Sequence, residues 1–274
     1  MKTILVPTDY SEAADNALEY AVHLAKYSAS HLVLLHVYRI PIPSGDVPVM
    51  IVTPAELEKD NRDRIALLKE RIAALGFPED RVKYMVEEGF AGDEVPRIAK
   101  EQQASMIVMG ISGAGVVAHT VFGSVAAAVI EKSKMPVLVI PPQAAFKVPE
   151  KIALAYNYKK PIQKLVLDEV IDLVQLFGAK LDVVDVVESD KTPDYESAVA
   201  GLTLENALHG IEHDLYFPVA KSVSEGLCDF ADNHGCDWLV MLPQKHSFLY
   251  GLFHKSQTKS TVFHTHVPLL AIHD

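Results

Sequence analysis

The stretch ASMIVMGISGAGVVAHTVFGSVAAAVIEKSKMPVLVIP, residues 104–141, decides the fold. It opens on an apolar run (104–110), passes Gly110, Gly113, Gly115 and Gly123, and becomes a small-residue helical segment over 123–133. It closes on MPVLVIP (135–141), an apolar run bounded by prolines. Short, continuous apolar runs flanked by glycine and proline suit strands buried on both faces. Two such strands joined through a helix form a parallel pair with a crossover connection. Residues 104–130 carry no Asp, Glu, Lys or Arg and are long enough to span a bilayer. The glycines and His119 break that run, so a buried strand, a glycine loop and a helix are expected instead of a membrane span.

Upstream, the same alternation recurs. KTILVP (2–7) reads as a strand, Ser11 offers an N-cap, and Ala14, Leu18, Ala21 and Ala25 mark one helix face. HLVLLHVY (31–38) and VKYMVEEG (82–89) read as strands, with helices over 53–75 and 93–102. Downstream, the pattern restarts. KIALAY (151–156) is a strand, Pro161 opens a helix that runs to Gly178, and KLDVVDVVE (180–188) is one strand. A helix near 199–213, an edge strand over 214–220, a helix over 222–234 and strands at 237–243 and 267–272 complete the chain. TILVPTD (3–9) aligns with KIALAYN (151–157) at an offset of 148, and MPVLVI (135–140) with VPLLAI (267–272) at 132. This is an internal duplication. It predicts an α/β fold of two tandem doubly wound, mostly parallel five-stranded sheets, residues 1–143 and 149–274.

Composition narrows the function. Of 274 residues 49% are hydrophobic, which is ample for a core, and the net charge is −11. Acidic residues outnumber basic ones 18 to 15 over 1–148 and 18 to 10 over 149–274. Neither half has the basic footprint of a nucleic-acid or anionic-lipid binder. Cys228 and Cys236 are the sole cysteines, so no disulfide scaffold exists. MKTILVPTDYSEAAD is not a secretion signal, and a cytoplasmic location is expected.

In an open parallel sheet, ligands sit beyond the carboxyl ends of the strands. Pro7-Thr8-Asp9 and Gly110-x2-Gly113-x9-Gly123-Ser124 collect there. Gly110 and Gly113 would let the backbone turn and approach a ligand closely, or would only shape a tight joint. Gly123 and Ser124 open a helix whose free N–H groups can hold a phosphate. Asp9 can accept a hydrogen bond from a ribose hydroxyl or a base amino group. No GxxxxGK[ST] loop occurs, and Gly113-Ala-Gly115-Val-Val-Ala118 follows the fourth strand, not the first, as a dinucleotide fingerprint requires.

With that spacing, the VPTDYSEAA opening, the LLHVY strand and the closing MPVLVIP, the chain resembles the universal stress protein (UspA) family, as a tandem two-domain member. The resemblance implies an ATP-binding, nucleotide-dependent stress-response or signalling module, with Mg²⁺ accompanying the nucleotide. Asp9 would contact the adenosine moiety beside Pro7 and Thr8, with Val37 lining the adenine slot. Met109 and Gly110 would border the ribose, and Gly113, Gly123, Ser124 and Val125 would hold the phosphates. ATP would order the 111–122 loop. The resemblance also implies an intrachain pseudo-dimer pairing Val137–Ile140 with Leu269–Ile272, and leaves a homodimer open.

At the duplicated positions Asp9 becomes Asn157, Gly110 becomes Leu242, Gly113 becomes Lys245 and Gly123 becomes Lys255, while Ser124 persists as Ser256. The second copy is therefore expected to have lost the site, the alternative being another anion site on Lys245, Lys255, Lys259 and Ser256. Eight of the twelve histidines lie in this half. His209 and His213, spaced i,i+4 on an expected helix, and the pair His264 and His266 are weak metal candidates. They leave open a ligand or metal sensor. No nucleophile–base pair is visible. At most a slow Mg-dependent ATPase is expected, with Ser124 and His119 as its nearest groups.

Overall fold

Parallel strands buried on both faces carry apolar side chains on both, and β1 (Thr3–Thr8) shows the division. In the computed structural model its Ile4 and Val6 join one hydrophobic layer, and Leu5 joins the layer on the opposite face. The structure describes residues 2–39, 54–111, 123–142, 144–157, 162–188, 204–242 and 266–273.

After β1 come α1 (Glu12–Tyr27), β2 (His31–Tyr38), α2 (Pro54–Ala74), β3 (Val82–Glu88), α3 (Ala91–Glu101), β4 (Met106–Gly110), α4 (Ser124–Lys132) and β5 (Val137–Ile140). The second half runs β6 (Lys151–Ala155), α5 (Lys164–Phe177), β7 (Lys180–Val184), β8 (Val187–Glu188), β9 (His213–Tyr216), β10 (Val219–Ala220), α6 (Val223–His234), β11 (Trp238–Met241) and β12 (Leu269–Ala271). Ser11 accepts the Ala14 N–H at 3.2 Å and starts α1. Gly178, left-handed at φ 65°, ends α5 where the sequence predicts a stop.

The strands form one ten-stranded sheet in the order β3-β2-β1-β4-β5-β12-β11-β6-β7-β9. Every pairing in it is parallel except β5 with β12. Each half contributes five strands, the second in mirrored order. At the junction Val139 faces Leu269, Leu138 faces Leu270 and Val137 faces Ala271. Leu138 thus pairs with its own duplicate, 132 positions on. Residues on either side exchange partners, so the register is that of an isologous two-fold contact.

Side chains tie the halves together. Trp238 Nε1 donates to the Tyr20 hydroxyl at 2.7 Å in the interior. Asn16 donates to the carbonyls of Pro141 (3.1 Å) and Ala144 (3.3 Å) at the start of the connecting segment. Phe146 meets Tyr20 edge-on, with ring centroids 5.2 Å apart. Asp237 Oδ2 accepts the N–H groups of Glu150 (2.7 Å) and Lys151 (3.0 Å) where β6 begins.

Three expectations for the second half are corrected. KLDVVDVVE is not one strand: the ladder breaks after Val184, and Val187–Glu188 pairs with Val219–Ala220 in a separate two-stranded ribbon. The 214–220 edge strand likewise divides around Pro218, which has no N–H for a ladder, into β9 and β10. The helix near 199–213 is helical over 204–207 among the described residues, turns at 208–210, and gives way to β9. Gly210 at φ 86° ends it, and Leu181–Val184 of β7 draws His213–Tyr216 into the sheet. Among the described residues no helix is long and apolar enough to cross a membrane.

Candidate nucleotide site

Strand order reverses between β1 and β4. From β1 the chain moves outward through β2 to β3, then crosses back to β4 and β5. At such a switch point the connections leave on opposite faces and open a crevice beyond the strand ends. The crevice is there: a cleft of about 760 Å³, open to solvent, whose lining includes Thr8, Asp9, Val37, Met109, Gly123 and Ser124. Pro7, Gly110 and Val125 also line it. Of the ten sequence-predicted residues, nine therefore converge. Gly113 lies outside the described residues, as do Ser112 and His119.

The polar side of the cleft is the turn from β1 into α1. Asp9 Oδ1 accepts two hydrogen bonds from Ser11, from the backbone N–H at 3.1 Å and the hydroxyl at 2.6 Å. Thr8, buried, accepts the Tyr10 N–H on its hydroxyl at 3.0 Å. The Thr8 carbonyl takes the Nδ1–H of His36 at 2.9 Å, a contact that places the ring proton on Nδ1 because a carbonyl only accepts. These bonds leave the exposed Asp9 carboxylate at the cleft rim.

The opposite wall is the first turn of α4. Gly123 precedes it in extended conformation with no side-chain cap, and its N–H donates to Ile111 at 2.7 Å. The first helical amides, Ser124 to Ala126, have no partner within a helix, and Ala127 is the first to close a bond, to Gly123. No acidic residue occupies that turn. The amides and the helix dipole therefore offer an anion site, with the exposed Ser124 hydroxyl beside them. Val37, Val95, Ala91 and Met109 add apolar lining to the same cleft.

Gly110, which lines the cleft, also shapes a tight joint. A Cβ there would stand 2.6 Å from the Ala13 carbonyl oxygen and 2.8 Å from its carbon. The missing side chain lets the start of α1 lie directly on the end of β4, which is the joint-shaping alternative.

Among the described residues the weak metal candidates do not assemble. His213 lies on β9, not on a helix with His209, and both its ring nitrogens are engaged, Nδ1 with the Ile211 carbonyl (2.8 Å) and Nε2 with Glu205 (3.1 Å). His209 is exposed in the turn before it and His266 is exposed ahead of β12. His264 lies outside the described residues, as do Lys245, Lys255, Ser256 and Lys259. Among the described residues no group of three or more His, Cys, Asp or Glu could hold a metal. Cys236 is buried, and burial pushes its thiol up to about 12, which leaves it unreactive.

The profile of the universal stress protein family matches residues 1–141. The chain belongs to the universal stress protein family. A universal stress protein of Methanocaldococcus jannaschii is 29% identical over 155 residues, covering 51% of this chain and 94% of its own. One from Synechocystis is 34% identical over 142 residues, covering 51% and 85%. The crystal structure of a universal stress protein from Archaeoglobus fulgidus superposes with a TM-score of 0.73 at 17% identity, covering 99% of this chain and 98% of that one. The last likeness extends the family fold over both halves.

Sequence reasoning missed Tyr10. Its φ of 62° is left-handed, although it carries a full side chain. Its ring packs against His36 at a 47° tilt, with centroids 4.6 Å apart, and the Arg64 guanidinium lies 4.8 Å above it. Burial raises the pKa of its hydroxyl, with Arg64 lowering it and Asp60 raising it.

Proposed function

We propose that this universal stress protein binds one adenine nucleotide, ATP accompanied by Mg²⁺, in its first half (1–143), as a binding and signalling module and not an enzyme. The observation that carries this is the pairing of apolar lining with two polar ends across one cleft: Asp9 on one side, the acid-free first turn of α4 on the other. A flat base suits the apolar lining at Val37 and Ala91, the ribose would lie by Asp9, Met109 and Gly110, and the phosphates would reach Gly113, Gly123, Ser124 and Val125. Mg²⁺ would offset the phosphate charge. The chain's own contribution is orientation, through fixed amides and a carboxylate tied to Ser11.

In the same proposal the second half (149–274) is a pairing partner with no working site. Register supports this. Ile4 pairs with Leu32 and Ile152 with Leu181, which makes Val186 the counterpart of Val37. A Cβ at Gly226 of α6 would come within 2.6 Å of Val186. Helix α6 thus rests on the side chain whose counterpart lines an open slot in the first half. The counterpart of Gly110 is Leu242, and the connection that precedes α5 is longer than the one that precedes α1. Residues 156–163 separate β6 from α5, against residues 9–11 between β1 and α1. The antiparallel β5–β12 junction would make the chain its own two-fold partner.

The test is to purify the untagged chain, denature it, and identify any released nucleotide by chromatography, with Gly113→Val alongside. About one ATP per chain, lost in the variant, supports the reading. Mostly ADP would favour a slow ATPase. No nucleotide, and none bound when Mg·ATP is added, would overturn it.

A further inference from the structure

The β1–α1 turn is built around a residue that should not favour it. Tyr10 holds φ at 62°, a region that residues with a Cβ adopt at a cost and that persists only where the surroundings enforce it. Besides the Thr8 and Asp9 hydrogen bonds within the turn, support comes from the far side of the sheet. Asp9 lines the cleft on the α3/α4 side, whereas the next side chain packs against the layer under α1 and α2. There the Tyr10 ring contacts His36 of β2, with centroids 4.6 Å apart, and the Arg64 guanidinium of α2, 4.8 Å from its centroid. His36 is itself fixed by its bond to the Thr8 carbonyl, one residue before Asp9. The Tyr10 hydroxyl is buried with no hydrogen-bond partner. The ring, and not the hydroxyl, is therefore what anchors the turn.

We infer that Tyr10 is a positioning residue for the nucleotide: its ring, clamped by His36 and Arg64, holds the left-handed turn that presents Asp9 to the cleft. The inference rests on the nucleotide reading above. It assigns a role to a side chain that does not line the cleft, and it makes α2 part of the site's support.

The test is calorimetric titration with Mg·ATP of the wild-type chain, Tyr10→Phe, Tyr10→Ala, Tyr10→Gly, Asp9→Ala and the double variant Asp9→Ala/Tyr10→Ala. Tyr10→Phe keeps the ring and should bind within two-fold of wild type. Tyr10→Ala should bind about ten-fold more weakly, the scale of one lost hydrogen bond to a charged group. Tyr10→Gly adopts the left-handed conformation without strain, so a similar loss there assigns the effect to the clamp. Because Tyr10 acts through Asp9, adding Tyr10→Ala to Asp9→Ala should change affinity no further. Wild-type affinity in Tyr10→Ala or in Tyr10→Gly would overturn the inference, as would losses that add in full in the double variant. A wild-type chain that binds no ATP would instead remove the nucleotide reading, and this inference with it.

Discussion

Replacing Gly110 by Ala tests whether the joint between β4 and α1 is as tight as the structure has it. The new Cβ would lie 2.6 Å from the Ala13 oxygen, 2.8 Å from its carbon and 3.1 Å from its Cβ. The first two are backbone atoms in the first turn of α1, so no rotamer change relieves the clash. The helix start must move by several tenths of an ångström. Ala14, buried one residue on, lines the cleft, and its N–H is the bond that Ser11 accepts. Overpacking of this kind costs about 2 kcal/mol, which in a chain of this size lowers Tm by about 4–8 °C. The same shift should displace Asp9 and weaken Mg·ATP binding. Gly178→Ala is the control. A Cβ there meets nothing within 4 Å, although φ is 65°, so it should cost about 1 kcal/mol from backbone strain alone and leave ATP binding unchanged. Thermal unfolding and calorimetric titration read both effects. A Gly110→Ala chain with wild-type Tm and wild-type affinity would refute the reasoning.

Asp182 is fully buried in β7 with neither carboxylate oxygen bonded. Burial raises its pKa from the ordinary 3.8, while Lys151 and Lys180 pull it down. The folded state therefore holds this proton more tightly than the unfolded chain. Its stabilising effect is full below pH 3.8 and is lost as pH rises through the raised value. Asp182→Asn should accordingly be more stable than wild type at pH 7, by on the order of 1 kcal/mol, and the gap should close toward acid; denaturant titration across pH would show a constant gap if the account is wrong. Tyr20→Phe strands the Trp238 indole N–H in the interior, at a cost of about 1–3 kcal/mol. Emission of the single tryptophan during denaturation should show a lower midpoint, and an unchanged one would mean the bond does not hold the halves. Ser11→Ala removes both an N-cap and the hydroxyl bond, one of the two ties on Asp9. It should lower stability by about 1 kcal/mol and weaken ATP binding; unaltered affinity would show that Asp9 needs no such tether.

The strand–helix order was legible because parallel strands are written as uninterrupted apolar runs and helices as periodic ones. The residues that line the cleft were legible for a related reason. Pro7-Thr8-Asp9 and Gly110 close two strands that topology makes neighbours, and Gly123-Ser124 open a helix, so their places in the elements bring them together. What failed depended on pairing distant in sequence. His209 and His213 read as one helix face until β7 recruits His213 into the sheet. The break after Val184 depends on where β10 lies. The sequence left Gly110 open between ligand approach and a tight joint, because the atom it avoids belongs to Ala13, a contact across 97 positions. Tyr10 gave no sign, since a left-handed residue is ordinarily announced by Gly, Asn or Asp.

The central claim is one adenine nucleotide per chain, in the first half. Titrating the nucleotide-stripped protein with Mg·ATP and counting sites tests it directly. One site per chain, weakened about ten-fold by Asp9→Ala, is the predicted result. Two sites per chain, or binding that survives Asp9→Ala undiminished, would contradict it.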